Sequence, residues 1–95
     1  MKTAISAQGQ TLESPVDPRF GRAKYFILYD TVSGSWSAKD NTQNLNAVQG
    51  AGIQAATNVV ELGAEAVITG NVGPKAFNVL KTAGVIIYTG ASGTV

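Results

Sequence analysis

The chain has 95 residues, 44% of them hydrophobic and only 14% charged, so it can bury one core and is not built like a disordered segment. Its net charge of +1 gives no global field for nucleic acid or a membrane surface, and any electropositive feature must be local. It has no Cys and no His, which removes disulfides and the usual ligands of a structural zinc or a thiolate-held cluster.

No apolar run approaches the roughly 20 residues that span a bilayer. The apolar stretch of the opening MKTAISAQGQ is too short for a signal peptide. A single domain over residues 1–95, in the cytoplasm, is the expectation.

Lys2 to Ala7, centred on Ile5 and followed by Gly9, predicts the first strand. Gln8 to Lys24 is a long loop holding Pro15, Pro18 and Gly21; loops of this length in compact domains often carry function. Tyr25 to Asp30 is aromatic and β-branched enough for a second strand. Thr31 to Ser35, with Gly34, gives a hairpin turn, and Trp36 to Lys39 a short return strand. Asp40 to Gln49 is a polar loop rich in Asn and Gln.

Gly50 to Leu62 switches to helical period, with Ile53, Ala56, Val59 and Val60 on one side and Gln54, Asn58 and Glu61 on the other. Gly63 suits the position past its end. Ala66 to Thr69 is a wholly apolar strand, and Gly70-Asn71-Val72-Gly73 a tight loop. Pro74 opens a second helix at its first position, where a missing N–H costs nothing. Ala76, Phe77 and Leu80 form its expected buried face and Gly84 stops it. Val85 to Tyr88 is the last strand, and Gly90 to Val95 trails off.

The order is β-β-β-α-β-α-β. The last three elements form a right-handed βαβ unit with parallel strands, and the first three an antiparallel meander. The predicted fold class is α/β: a ribonuclease-H-like motif in three layers, a five-stranded mixed sheet with helices packed on it. In that topology loops 8–24, 40–49 and 70–73 share one edge of the sheet, at the carboxyl ends of strands, where open α/β sheets bind ligands. Two helix N-termini open there, at Gly50 and at Gly73-Pro74, and Arg19, Arg22 and Lys24 add formal charge. The edge is therefore expected to accept an anion.

Each piece also has a plainer reading. Pro15 and Pro18 stiffen any loop. Arg19 and Arg22 can be solvated or paired with Asp17 or Asp30. Phe20 is a core plug or a stacking platform. Gly50-Ala51-Gly52 can serve only close packing. Gly70-Asn71-Val72-Gly73-Pro74-Lys75 lacks the spacing of a P-loop.

Signals for catalysis are weak. The ribonuclease H reaction needs metal-binding carboxylates on the first strand, and Thr3-Ala4-Ile5-Ser6 has none. There is no His base, Cys nucleophile or GxSxG elbow, and the six acids are scattered. A non-enzymatic binding protein is expected.

Ser14-Pro15-Val16-Asp17-Pro18-Arg19-Phe20-Gly21-Arg22-Ala23, Gly50-Ala51-Gly52-Ile53-Gln54-Ala55-Ala56 and Val67-Ile68-Thr69-Gly70-Asn71-Val72-Gly73-Pro74-Lys75-Ala76 resemble the dinitrogenase iron–molybdenum cofactor biosynthesis family, in order and across nearly the whole chain. The resemblance implies a ribonuclease-H-like domain that binds or carries iron–molybdenum cofactor or an iron–sulfur precursor cluster. It implies an anionic metallocluster or small molecule and a nitrogenase-maturation-type protein as partners, with a monomer or weak homodimer and no nucleic acid or membrane. The cofactor-binding candidates are Arg19, Phe20, Gly21, Arg22, Gly50, Gly52, Asn71 and Gly73, with Gly21 permitting a sharp turn. The family loop usually reads His-Phe-Gly, and here Arg19 stands at the His position. Arg does not ligate metal at ordinary pH but can pair with an anionic cluster or an organic carboxylate. Relatives usually continue past Val95 into one more helix. The other reading is a small interaction or regulatory module that binds a protein partner or an anionic metabolite without metal.

Overall fold

The computed structural model describes residues 1–41, 51–91 and 93. The elements run β1 (Lys2–Ala7), β2 (Tyr25–Asp30), β3 (Trp36–Asp40), α1 (Ala51–Glu61), β4 (Ala66–Ile68), α2 (Pro74–Thr82) and β5 (Ile86–Tyr88). They form one five-stranded sheet in the order β3-β2-β1-β4-β5. β1 pairs antiparallel with β2 and parallel with β4, β2 pairs antiparallel with β3, and β4 parallel with β5. The expected order and directions hold, with element ends moved by a residue or so.

β1 sits at the centre because it is the strand that can be buried on both faces: every residue from Thr3 to Ala7 is buried. Ala4, Phe26 and Val67 project to the helix side, where they meet Ala55, Ala56 and Val59 of α1 and Ala76 and Leu80 of α2. Small residues let the helix backbones come close to the sheet and to each other. A Cβ placed on Gly52 would lie 3.3 Å from the Ala76 Cβ.

This close approach turns the buried stripes from the predicted ones. In α1 the fully buried residues are Ala55, Ala56 and Val59, whereas Ile53 is exposed and Val60 only half-buried. The periodicity was right, but packing chose the smaller neighbours. In α2, Ala76 and Leu80 are buried as expected, but Phe77 lies on the outer face with the Lys81 Nζ 5.9 Å from its ring centroid. Positive φ at Gly63 (85°) and Gly84 (79°) ends the two helices.

Ile5, Ala7 and Ile27 project to the opposite face of the sheet. Val16, Leu12 and Ala91 pack on them. Among the described residues, the third layer is therefore loop rather than helix. No described helix is long and apolar enough to cross a membrane.

Candidate functional site

β1 delivers the chain to the carboxyl edge of the sheet, and the following loop leaves and returns. The Gln8 N–H donates to the Pro15 carbonyl (3.0 Å) and the Asp17 N–H to the Ser6 carbonyl (2.9 Å), with Ala7 and Val16 forming an antiparallel bridge. Ser14 Oγ accepts the Thr11 N–H at 3.1 Å and closes the excursion. Ser6, fully buried, donates through Oγ to the Asp17 carbonyl (2.7 Å) and hydrogen-bonds Thr69 Oγ1 (2.7 Å). The ends of β1 and β4 thus hold the loop together.

A second tie lies three residues on. Arg19 and Asn71 form a parallel bridge, and the Phe20 N–H donates to the Asn71 carbonyl at 3.1 Å. Gly70 makes that approach possible, since a Cβ there would lie 2.6 Å from Pro18 Cα and 2.9 Å from Pro18 O. Beneath the tie, Phe20 is buried to 1% exposure, its ring 5.1 Å from that of Phe26 and tilted by 55°. Phe20 is therefore the core plug of its two readings; it anchors the loop and offers no open face for stacking. Farther along, buried Asn41 donates from Nδ2 to the Ala23 carbonyl (2.8 Å) and from its N–H to the Lys24 carbonyl (2.8 Å).

Between these ties the chain turns through Gly21 and Arg22. The φ of Gly21 is outside the left-handed region, so the turn does not use the freedom expected of it. Asp17, at 1% exposure, receives the Arg19 N–H on Oδ1 at 2.9 Å and has the Arg19 Nε 3.4 Å from the same oxygen. The Arg19 side chain is otherwise open, at 64% exposure.

The helix ends complete the site. Gly73 caps α2 with extended backbone, no side chain accepts the first N–H groups, and Pro74 occupies the first turn. Neither α1 nor α2 has an acidic residue in its first turn, so among the described residues no first-turn carboxylate opposes the partial positive charge of the helix starts.

A groove of about 420 Å³ opens between these parts, lined by Arg19, Phe20, Gly21, Arg22, Gly52, Asn71 and Gly73. Seven of the eight predicted residues meet there; Gly50 lies outside the described residues, as does most of the polar 40–49 loop. Lys24 is exposed and is not part of the groove wall. A slightly larger cavity of about 440 Å³ is lined in part by Lys39, Asp40 and Glu61. An anion there would face two carboxylates against one ammonium, so charge, not volume, distinguishes the groove. Among the described residues no cluster of His, Cys, Asp or Glu could hold a metal ion.

Sequence reasoning missed the residues that build this groove from behind: Ser6, Asp17, Asn41 and Thr69. Ser6, a hydroxyl between Ile5 and Ala7, was a signal for its part of that layer.

The sequence matches the dinitrogenase iron-molybdenum cofactor family (Nitro_FeMo-Co) over residues 1–95. The chain belongs to this family. It is 31% identical to the uncharacterised protein MJ0580 of Methanocaldococcus jannaschii over 90 residues, which span 93% of this chain and 73% of that one. Its fold superposes on the apo form of the orange protein (ORP) from Desulfovibrio gigas with a TM-score of 0.95 and 38% identity, covering 99% of this chain and 78% of the other. A Thermotoga protein proposed to be a NifB (TM1290) superposes with a TM-score of 0.85 and 42% identity, over 99% and 79% of the two chains. In this member of the dinitrogenase iron-molybdenum cofactor family, the groove offers guanidinium and amide N–H groups, all of them donors, and no side-chain lone pair suited to a soft metal.

Proposed function

We propose that this protein is a non-enzymatic carrier for an anionic metallocluster of the iron–molybdenum cofactor or iron–sulfur precursor type, held in the groove between the 17–22 loop and the N-termini of α1 and α2. The observation that carries this reading is the convergence of Arg19, Arg22 and the uncapped start of α2 on one open groove, in a chain that matches the family over its whole length. Its volume of about 420 Å³ falls in the range of small-ligand sites.

The chemistry of the donors narrows the binding mode. With no Cys or His in the sequence, the protein supplies no thiolate or imidazole to the cluster. The cluster must arrive with its own coordination shell filled, and the protein binds that shell from outside. Arg19 and Arg22 pair with its negative charge, and free amides at the helix end donate to its surface ligands. Such a mode suits a carrier, because a ligand the protein does not coordinate can be passed on without exchange of a metal ligand.

Lack of ligating side chains also favours a second reading, a module that binds an anionic metabolite such as a polycarboxylate without metal. One experiment separates the two. The protein is titrated anaerobically with isolated iron–molybdenum cofactor, then with citrate, and followed by native gel shift and visible absorbance, with Arg19→Ala and Arg19→His alongside. The carrier reading predicts a gel shift and a bound chromophore in the wild type, weakened about tenfold or more in Arg19→Ala, as expected for loss of a charge-assisted pair. Citrate binding without cofactor binding gives the second reading. Failure of all three proteins to bind either probe overturns both.

A further inference from the structure

We infer that Asp17 is a positioning residue for anion binding: its buried carboxylate fixes the backbone and the Nε edge of Arg19, so that the remaining guanidinium N–H groups stand preset at the groove. This rests on the reading of the groove as an anion site and adds the residue that sets its geometry.

Three observations carry it. First, one oxygen, Asp17 Oδ1, meets both the Arg19 N–H (2.9 Å) and the Arg19 Nε (3.4 Å). The main-chain contact closes a short turn over Pro18, and the side-chain contact selects one rotamer family of Arg19. Second, Asp17 is 1% exposed while the Arg19 side chain is 64% exposed. The anchor is inside and the head outside, which is the arrangement of a support rather than of a solvated surface pair. Third, Asp17 is itself held. Its N–H donates to the Ser6 carbonyl (2.9 Å) and its carbonyl accepts from Ser6 Oγ (2.7 Å). The route from the central strand to the guanidinium is therefore continuous: Ser6, Asp17, Arg19.

A buried negative charge beside an anion site looks self-defeating, and the geometry shows what it gains. A guanidinium presents five N–H donors in a rigid fork. The carboxylate takes the Nε edge, and among the described residues the Arg19 side chain makes no other hydrogen bond or ion pair. The two Nη groups, with four N–H donors, are left for the ligand. Repulsion between Asp17 and the ligand opposes binding, while prior ordering of a long side chain favours it by removing part of the entropy that would be lost on binding. The two effects have opposite signs, so one substitution decides between them.

Asp17→Asn keeps an oxygen to accept the Arg19 N–H and removes the charge that holds Nε. Affinity for isolated iron–molybdenum cofactor is measured anaerobically in the wild type, Asp17→Asn, Arg19→Ala and the double variant. Positioning predicts that Asp17→Asn weakens binding about three- to tenfold, the scale of one long side chain left to be ordered. In the Arg19→Ala background the same change costs nothing or tightens binding. Asp17→Asn binding as tightly as wild type or tighter, or an equal loss in both backgrounds, overturns the inference and leaves the anion site standing. No binding by the wild type overturns the site and this inference together. A ligand-free measurement on the wild type covers the case in which Asp17→Asn does not fold. The Arg19 ¹⁵Nε signal, assigned by its loss in Arg19→Lys, must show backbone-like order on the fast timescale. Free rotation of that group overturns the inference without reference to any ligand.

Discussion

A single methyl group added at Gly70 tests whether the 17–22 loop is docked on the strand-to-helix turn. The Cβ of Gly70→Ala would lie 2.6 Å from Pro18 Cα, 2.9 Å from Pro18 O and 3.0 Å from Pro18 Cβ. Two of these atoms are backbone, and the ring of Pro18 fixes its φ, so the neighbour cannot yield by a rotamer change. Either the loop or the turn must move by about 1 Å to reach an ordinary contact. Overpacking of this kind costs about 1–3 kcal/mol. Moving the loop also strains the Phe20 N–H to Asn71 bond and the Ser6 to Asp17 bond, each worth about 1 kcal/mol net. The expected total is about 2–4 kcal/mol in denaturant unfolding, with the slope unchanged. Gly73→Ala is the control, since a Cβ there meets nothing within 4 Å and φ is −68°. It should cost about 1 kcal/mol or less, as a change at a helix N-cap. Gly70→Ala within about 0.5 kcal/mol of wild type, the usual range for a surface change, would refute the docking of the loop.

Leu80 is fully buried where α2 meets α1 and the sheet, so Leu80→Ala should lower stability by about 2–5 kcal/mol in chemical denaturation. Asp30 tests the opposite end of the molecule: the backbone N–H groups of Val32 and Ser33 donate to its carboxylate and hold its carboxyl below the ordinary 3.8. A group with a lowered folded-state pKa stabilises above its unfolded value and loses that contribution as pH falls through the folded one. The stability difference between wild type and Asp30→Asn seen at about pH 6 should therefore change as pH falls below the ordinary carboxyl range, by the part that depends on the ionised carboxyl, and a difference that does not change with pH would refute the hairpin contact.

The sheet was legible because most of its strands are short and apolar, and Gly or Pro stands where the chain turns between them. Gly63 and Gly84, both at positive φ, mark the helix ends as the sequence suggested. Legibility failed where two neighbouring apolar residues competed for one position. Ile53 and Phe77 are larger than Ala55 and Ala76, and hydrophobicity alone prefers them inside. Close helix packing, visible in the 3.3 Å gap at Gly52, leaves room only for the small ones. At the site, the residues facing the groove were readable as a cluster of charge, Gly and Pro. The residues behind it were not, because Ser6, Thr69 and Asn41 act through contacts with partners 11 to 63 positions away. Asp17 was readable only as a salt-bridge partner; its burial is a tertiary fact.

That division bears on how the groove would work. A ligand that is not coordinated must be held by many weak donors, and each contributes only what remains after its own ordering cost. Here the ordering is already done in the folded chain. Ser6 and Thr69 lock the loop to two strand ends, Gly70 seats Pro18, Phe20 fills the core below and Asp17 restrains Arg19. The groove can then be rigid on three sides while its donors stay open to solvent. Rigidity favours affinity without a covalent bond, and openness favours release. If the loop were instead mobile in the free protein, the same Arg19 would bind more weakly and Gly70→Ala would matter little. The Gly70 and Asp17 substitutions probe that one property from opposite sides, one by packing and one by charge.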